Sequence, residues 1–122
     1  MSTVANVEAF SVAVSDRPSS LHVCLVGDAN MNAVEELGRS LAEVHGRAVR
    51  AGVSEVVVDL RQLEFMNSAC FKKIVTWITR VEEVEAAARY RIRFLSNTKI
   101  HWQRRSLHAL HMFAIDLVSV DK

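Results

Sequence analysis

The run Glu55-Val56-Val57-Val58-Asp59-Leu60 is strongly β-branched and lacks the alternation of a half-exposed strand, so it is expected to need cover on both faces. A segment of this kind belongs in the middle of a sheet, and its flanks decide which sheet. On the N-terminal side Val34, Leu37, Leu41, Val44 and Ala48 recur at helical spacing, with Glu35, Glu36, Arg39, Glu43 and Arg47 elsewhere on the wheel. The spacing predicts a helix from Asn30 to about Arg50, closed by Gly52. On the C-terminal side Phe71, Ile74, Val75, Ile78 and Val81 repeat the pattern. A strand between two helices implies right-handed crossovers and a parallel or mixed sheet.

The rest of the chain fits the same plan. Val7 to Val14 and Leu21 to Val26 read as strands, and Ser15-Asp16-Arg17-Pro18-Ser19-Ser20 between them is turn chemistry, giving an N-terminal antiparallel hairpin. Tyr90 to Leu95 and Ile115 to Val120 read as further strands, separated by a helix over Ile100 to Phe113 with Leu107, Leu110 and Phe113 on its apolar face. The expected order is β-β-α-β-α-β-α-β: a single α/β domain over residues 1–122, with a mixed sheet and helices packed on it. Half of the 122 residues are apolar, enough for one sizeable core. No repeat or linker interrupts it, and the last strand leaves no room for a further long helix.

Composition narrows the function classes. Fifteen basic and 14 acidic residues, spread evenly for a net charge of +1, leave no basic footprint for nucleic acid or anionic lipid. Cys24 and Cys70 form no CxxC pair, which argues against zinc-finger and thioredoxin chemistry and fits a reduced compartment. The start, MSTVANVEAF, carries no basic segment followed by an apolar run, and no stretch nears ~20 apolar residues, so a soluble cytoplasmic protein without membrane insertion is expected. No GxGxxG or GxxxxGK loop supports a nucleotide, and no cofactor is expected. His101, His108 and His111 share one side of the third helix, but no carboxylate or cysteine at matching spacing completes a metal site.

The segment with most chemistry is Phe65-Met66-Asn67-Ser68-Ala69-Cys70-Phe71, where the second helix opens directly after the central strand. A helix start there points free N–H groups at the carboxyl edge of the sheet, where open α/β folds place their sites. Asn67 or Ser68 can cap it. Cys70 falls in the first turn, where the helix dipole favours a thiolate, but nothing around it in the sequence makes a catalytic set, and a small residue packed at a helix start is the plainer reading. Ala69, Lys73, Trp77 and Arg80 lie along one flank of this helix. Trp77 there either anchors a partner from a half-exposed position, as Trp and Arg do at interface hot spots, or simply widens the core stripe.

Residues 55–82 resemble the STAS domain, the fold of bacterial anti-sigma factor antagonists. That family shows a hydrophobic strand ending in Asp-Leu, a short loop, and an (F/I)-(I/M)-D-S-S-G-L turn opening a helix. Here Val56-Val57-Val58-Asp59-Leu60 is followed, after the four residues 61–64, by Phe65-Met66-Asn67-Ser68-Ala69-Cys70-Phe71, a spacing that matches the family's without a gap, and Arg104-Arg105-Ser106-Leu107-His108-Ala109-Leu110 is similar to the family's late helix. The resemblance implies a non-enzymatic signalling module whose partner is an anti-sigma factor or a histidine-kinase-like serine kinase.

In the family the second serine accepts phosphate and the preceding aspartate shapes the site. Here those positions are Ala69 and Asn67, and the glycine is Cys70. Ala69 has no hydroxyl to phosphorylate. Ser68, matching the first serine, is a displaced acceptor only if capping does not occupy it. The implied contact set is Asn67, Ser68, Ala69, Cys70, Lys73, Trp77 and Arg80. The alternative is a structural STAS subunit of a lipid-transport ABC complex or a stress-signalling assembly.

Overall fold

The computed structural model describes residues 2–121. Six strands form one sheet in the order of the chain: β1 (Ser2–Val7), β2 (Phe10–Arg17), β3 (Ser20–Ala29), β4 (Glu55–Met66), β5 (Arg91–Leu95) and β6 (Val118–Asp121). The first three pair antiparallel, and β3 to β6 run parallel. The crossovers carry α1 (Val34–Ala51), α2 (Ser68–Glu82) and α3 (His101–Phe113). This is the expected mixed sheet with β4 inside it, plus one strand more than the sequence pattern indicated.

The extra strand arises because the apolar stretch from Val7 to Val14 is broken. Glu8 and Ala9 form a tight turn, with Ala9 at a φ of 65°, so β1 and β2 are the arms of a hairpin. Gly27 opposite takes a φ of 99°, and a Cβ there would lie 2.0 Å from the Ala9 carbonyl oxygen. The Ala9 carbonyl accepts instead from Asp28 N–H at 2.8 Å, so glycine at 27 lets the turn close on β3. At the other end Ile115 and Asp116 sit in turns, and β6 begins only at Val118.

Because β3, β4, β5 and β6 advance across the sheet in one direction, right-handed crossovers put all three helices on the same face. That face holds the core: Val12, Leu25, Val56, Val58, Leu60, Ile92 and Phe94 meet Leu37, Val44, Ile74, Ile78, Leu107 and Leu110 of the helices. The other face is not covered by helices, contrary to the two-sided burial expected of β4. Val57 is nonetheless buried there. Its register partners are His22 and Arg93, and Arg93 bridges Glu55 at 3.2 Å and Asp121 at 2.7 Å, so long polar side chains roof it.

β4 outruns β5 by seven residues, since its last partner on that side is Asp59. Two register shifts against β3 bend this extension, and Leu60 and Leu63, three apart, both point into the core. Carbonyls that β5 does not reach are met from α3 and its leading loop. Buried Gln103 donates to Leu60 O at 2.6 Å and Leu63 O at 3.0 Å and accepts from Asn97 N–H at 2.8 Å. Trp102 Nε1–H donates to Glu64 O at 2.9 Å, and Asn97 Nδ2 to Arg61 O at 3.1 Å. These bonds fasten α3 to the strand that delivers α2.

Candidate protein-docking site

Asn67 caps α2: its side-chain oxygen accepts from Cys70 N–H at 2.8 Å. Ser68, one residue into the helix, is exposed and plays no capping part. The capping role weighed for Ser68 is therefore corrected, because the amide of Asn67 already fills the geometry that the first turn offers. Ala69 is half-buried just behind.

On the flank expected from the helical wheel, Trp77 turns inward. Trp77 is only 2% exposed, and its Nε1–H donates to Tyr90 Oη at 2.8 Å. Tyr90 Oη in turn lies 2.8 Å from His45 Nδ1 of α1. With the indole N–H already donating to it, the phenol gives its own proton to His45, which acts as acceptor through a bare Nδ1. Burial pushes the Tyr90 hydroxyl well above its ordinary range, and burial with the Arg80 charge lowers His45, so both groups keep these roles near neutrality. Trp77 as a half-exposed anchor is thus overturned: α1 packs over that edge and the ring widens the core stripe.

Cys70 is fully buried, its Sγ 3.6 Å from Asn30 O, and burial raises its pKa, so the thiol is protonated and inaccessible. It has no surface for a partner to touch. Lys73 is half-buried with its aliphatic stem against Gly38 of α1, where a Cβ would stand 3.0 Å from Lys73 Cδ. Arg80 is exposed but three turns from the helix start. Of the expected set, only Asn67, Ser68 and Ala69 come together at the corner.

The corner gains other residues instead. Met31, in the turn before α1, is 73% exposed and takes a contact from Asn67 Nδ2 at 3.2 Å; Phe65, on the β4 extension, is 48% exposed. A recess of about 350 Å³ opens beside them between α2 and α3, with Ser68 and Phe71 on one wall and Trp102 and Arg105 on the other. Large exposed apolar side chains around a polar helix start make an apolar patch with a polar centre. Met31 and Trp102 carried no signal in the sequence, and Phe65 entered only as the first residue of the motif, since the exposure of Phe65 follows from the bent β4 extension and the place of Trp102 from the docking of α3.

Elsewhere, His101 and His108 are exposed and His111 is bonded to Val118 O at 2.7 Å. Among the described residues no group of three or more His, Cys, Asp or Glu side chains is arranged to hold a metal ion. None of their helices is long and apolar enough to cross a membrane.

No family model matches the sequence, and no curated protein matches it. Solved structures do match the fold. An anti-sigma factor antagonist from Mycobacterium paratuberculosis aligns with a TM-score of 0.63 at 17% identity, over 85% of this chain and 81% of its own. The Bacillus cell fate determinant SpoIIAA in its phosphorylated form aligns with a TM-score of 0.58 at 16% identity, over 93% and 92%. A protein of the DUF3478 family with a SpoIIAA-like fold, from Shewanella loihica, aligns with a TM-score of 0.58 at 12% identity, over 97% and 89%. The chain has the fold of anti-sigma factor antagonists, the SpoIIAA-like STAS fold. At these identities the likeness speaks for the fold alone.

Proposed function

We propose that this chain is a non-enzymatic regulatory protein that docks another protein at the start of α2, and that it does so without the serine phosphorylation switch. The supporting observation is the corner itself. Asn67 caps the helix, Ala69 offers a methyl group where the resemblance places an acceptor hydroxyl, and Met31, which Asn67 touches, and Phe65, two residues before the cap, are exposed. Phosphate at a helix start adds nearly two negative charges to such a surface and remakes its electrostatics. A methyl group at position 69 removes that control, so docking depends on the partner's presence alone.

The partner of this reading is an anti-sigma factor or a serine kinase of the histidine-kinase fold, as the resemblance implies. Calorimetry against such a protein tests it: Phe65→Ser and Ala69→Glu each weaken binding by at least about tenfold, or roughly 1.4 kcal/mol. Affinity unchanged in both variants removes the surface. Ser68 is exposed, so intact mass after incubation with the kinase and ATP is the companion measurement. The unmodified mass is expected; a phosphate that is gained by the native chain and lost in Ser68→Ala would put a serine switch at this corner and overturn the reading.

A second reading, a structural subunit of a lipid-transport ABC complex or a stress-signalling assembly, draws on the same exposure of Met31 and Phe65, which permanent burial in a complex would explain. Sizing of the native complex separates the two, since a subunit elutes only in a large assembly.

A further inference from the structure

A second and larger recess, about 700 Å³, lies away from the α2 corner, between α3 and the outer edge of β6. Its volume is within the range of small-molecule sites. Arg104, His108 and His111 form one stripe of α3 along its wall, at positions i, i+4 and i+7. Thr98 of the β5–α3 loop adds a hydroxyl, Ser96 Oγ being taken up in donating to Asp121 O at 2.9 Å, while Leu107 and Val120 supply apolar contact. No carboxylate is among the described residues that line it. The acid nearest in sequence on β6, Asp121, is held by Arg93 at 2.7 Å.

The groove is built rather than incidental. Gln103 at its inner end is pinned by three hydrogen bonds, so the loop at 96–98 and the helix keep a fixed relation. On the strand side, Ile92 N–H donates to Leu117 O and Ser96 N–H to Asp121 O, so alternation turns the backbone of Val118 and Val120 outward. Val118 is satisfied within the chain, donating to Ala114 O and accepting from His111 Nδ1–H. The outward N–H and C=O of Val120 open into the groove. With Nδ1–H donating to Val118 O, the other ring nitrogen of His111, Nε2, is left as an acceptor.

From this we propose that the groove between α3 and β6 binds a small organic anion, with a carboxylate or phosphate head group on an apolar body. The guanidinium of Arg104 and a ring N–H of His108 take the head group, the Thr98 hydroxyl and the Val120 N–H complete its hydrogen bonds, and Leu107 with the Val120 side chain covers the body. The site shares no wall with the docking corner except near Arg105, which lines both recesses, so it stands or falls independently of the partner.

Titration of the nitrogen-15-labelled protein with phenyl phosphate, benzoate and inorganic phosphate at constant ionic strength, followed by NMR, tests it. Saturable amide shifts confined to residues 96–98, 104–111 and 118–121 are expected with phenyl phosphate or benzoate, and the tighter of the two identifies the head group. Arg104→Glu weakens that binding at least about tenfold, whereas Arg50→Glu, the same charge change on exposed surface of α1, leaves it within about twofold. Absence of a saturable shift with both organic probes overturns the proposal. So does inorganic phosphate binding as tightly as phenyl phosphate in the absence of benzoate binding, or an Arg50→Glu effect equal to that of Arg104→Glu.

Discussion

Trp77 shows how one nitrogen can decide a side chain's fate. Its ring lies where the apolar stripe of α2 meets α1, and a buried indole N–H needs an acceptor, which Tyr90 Oη provides at 2.8 Å. Spacing on a helical wheel places Trp77 at the edge of the stripe but says nothing about which neighbour closes over it. That neighbour, α1 with His45, comes from 32 residues earlier in the chain. Trp77→Phe keeps the apolar ring and leaves the phenol without its donor, so urea unfolding is expected to show a loss of about 1–3 kcal/mol with an unchanged m-value. A loss below about 0.5 kcal/mol would mean the bond contributes little.

Among the elements, α2 and the β4 extension decide where the site sits. Asn67→Ala removes the cap and is expected to cost about 1 kcal/mol, while Ser68→Ala stays within about 0.5 kcal/mol, since its hydroxyl does no capping; equal losses in the two thermal or urea titrations would reverse the assignment. Gln103→Leu strips two carbonyls of β4 and one N–H of the loop of their partner, a loss expected to exceed about 2 kcal/mol, read by the same unfolding experiment. Much of this layer was legible in the residues: the helical repeats at Val34–Ala48 and Phe71–Val81, Gly52 in the left-handed conformation at the end of α1, and the strand at Glu55–Leu60 all lie where periodicity puts them. What periodicity missed has local causes. The turn at Glu8–Ala9 depends on Gly27, eighteen residues away, and the reach of β4 to Met66 depends on α3 supplying donors to strand carbonyls that β5 leaves free. Phe113, expected in the core, is 52% exposed because α3 ends there and the chain turns toward β6.

For the molecule as a whole, the one-sided sheet sets its response to acid. His45, between α1 and the core, is lowered by burial and by Arg80; His22, on the open face, is lowered by burial, then by Arg17 and Arg93, against the opposite pull of Glu55 and Asp59. A histidine lowered in the fold binds its proton more readily in the unfolded chain, so its contribution is intact above the unfolded value of 6.5 and is lost as pH falls through and below it. Asp59, lowered chiefly by its hydrogen bond from Arg61, adds a further loss at more acid pH, below its unfolded value of 3.8. Urea unfolding is therefore expected to weaken from about pH 7.5 to about pH 5.5, with a shallower slope in the double variant His22→Gln, His45→Gln. An identical slope in that variant would assign the pH dependence to other groups.

Each strand of this sheet lies beside the strand that precedes it in the chain, with no later segment inserted between earlier ones. A nascent polypeptide leaving the ribosome can thus lay down the sheet in the order of synthesis, every new strand arriving at an edge already in place. The β6 edge, with the groove beside it, is the last part to be completed.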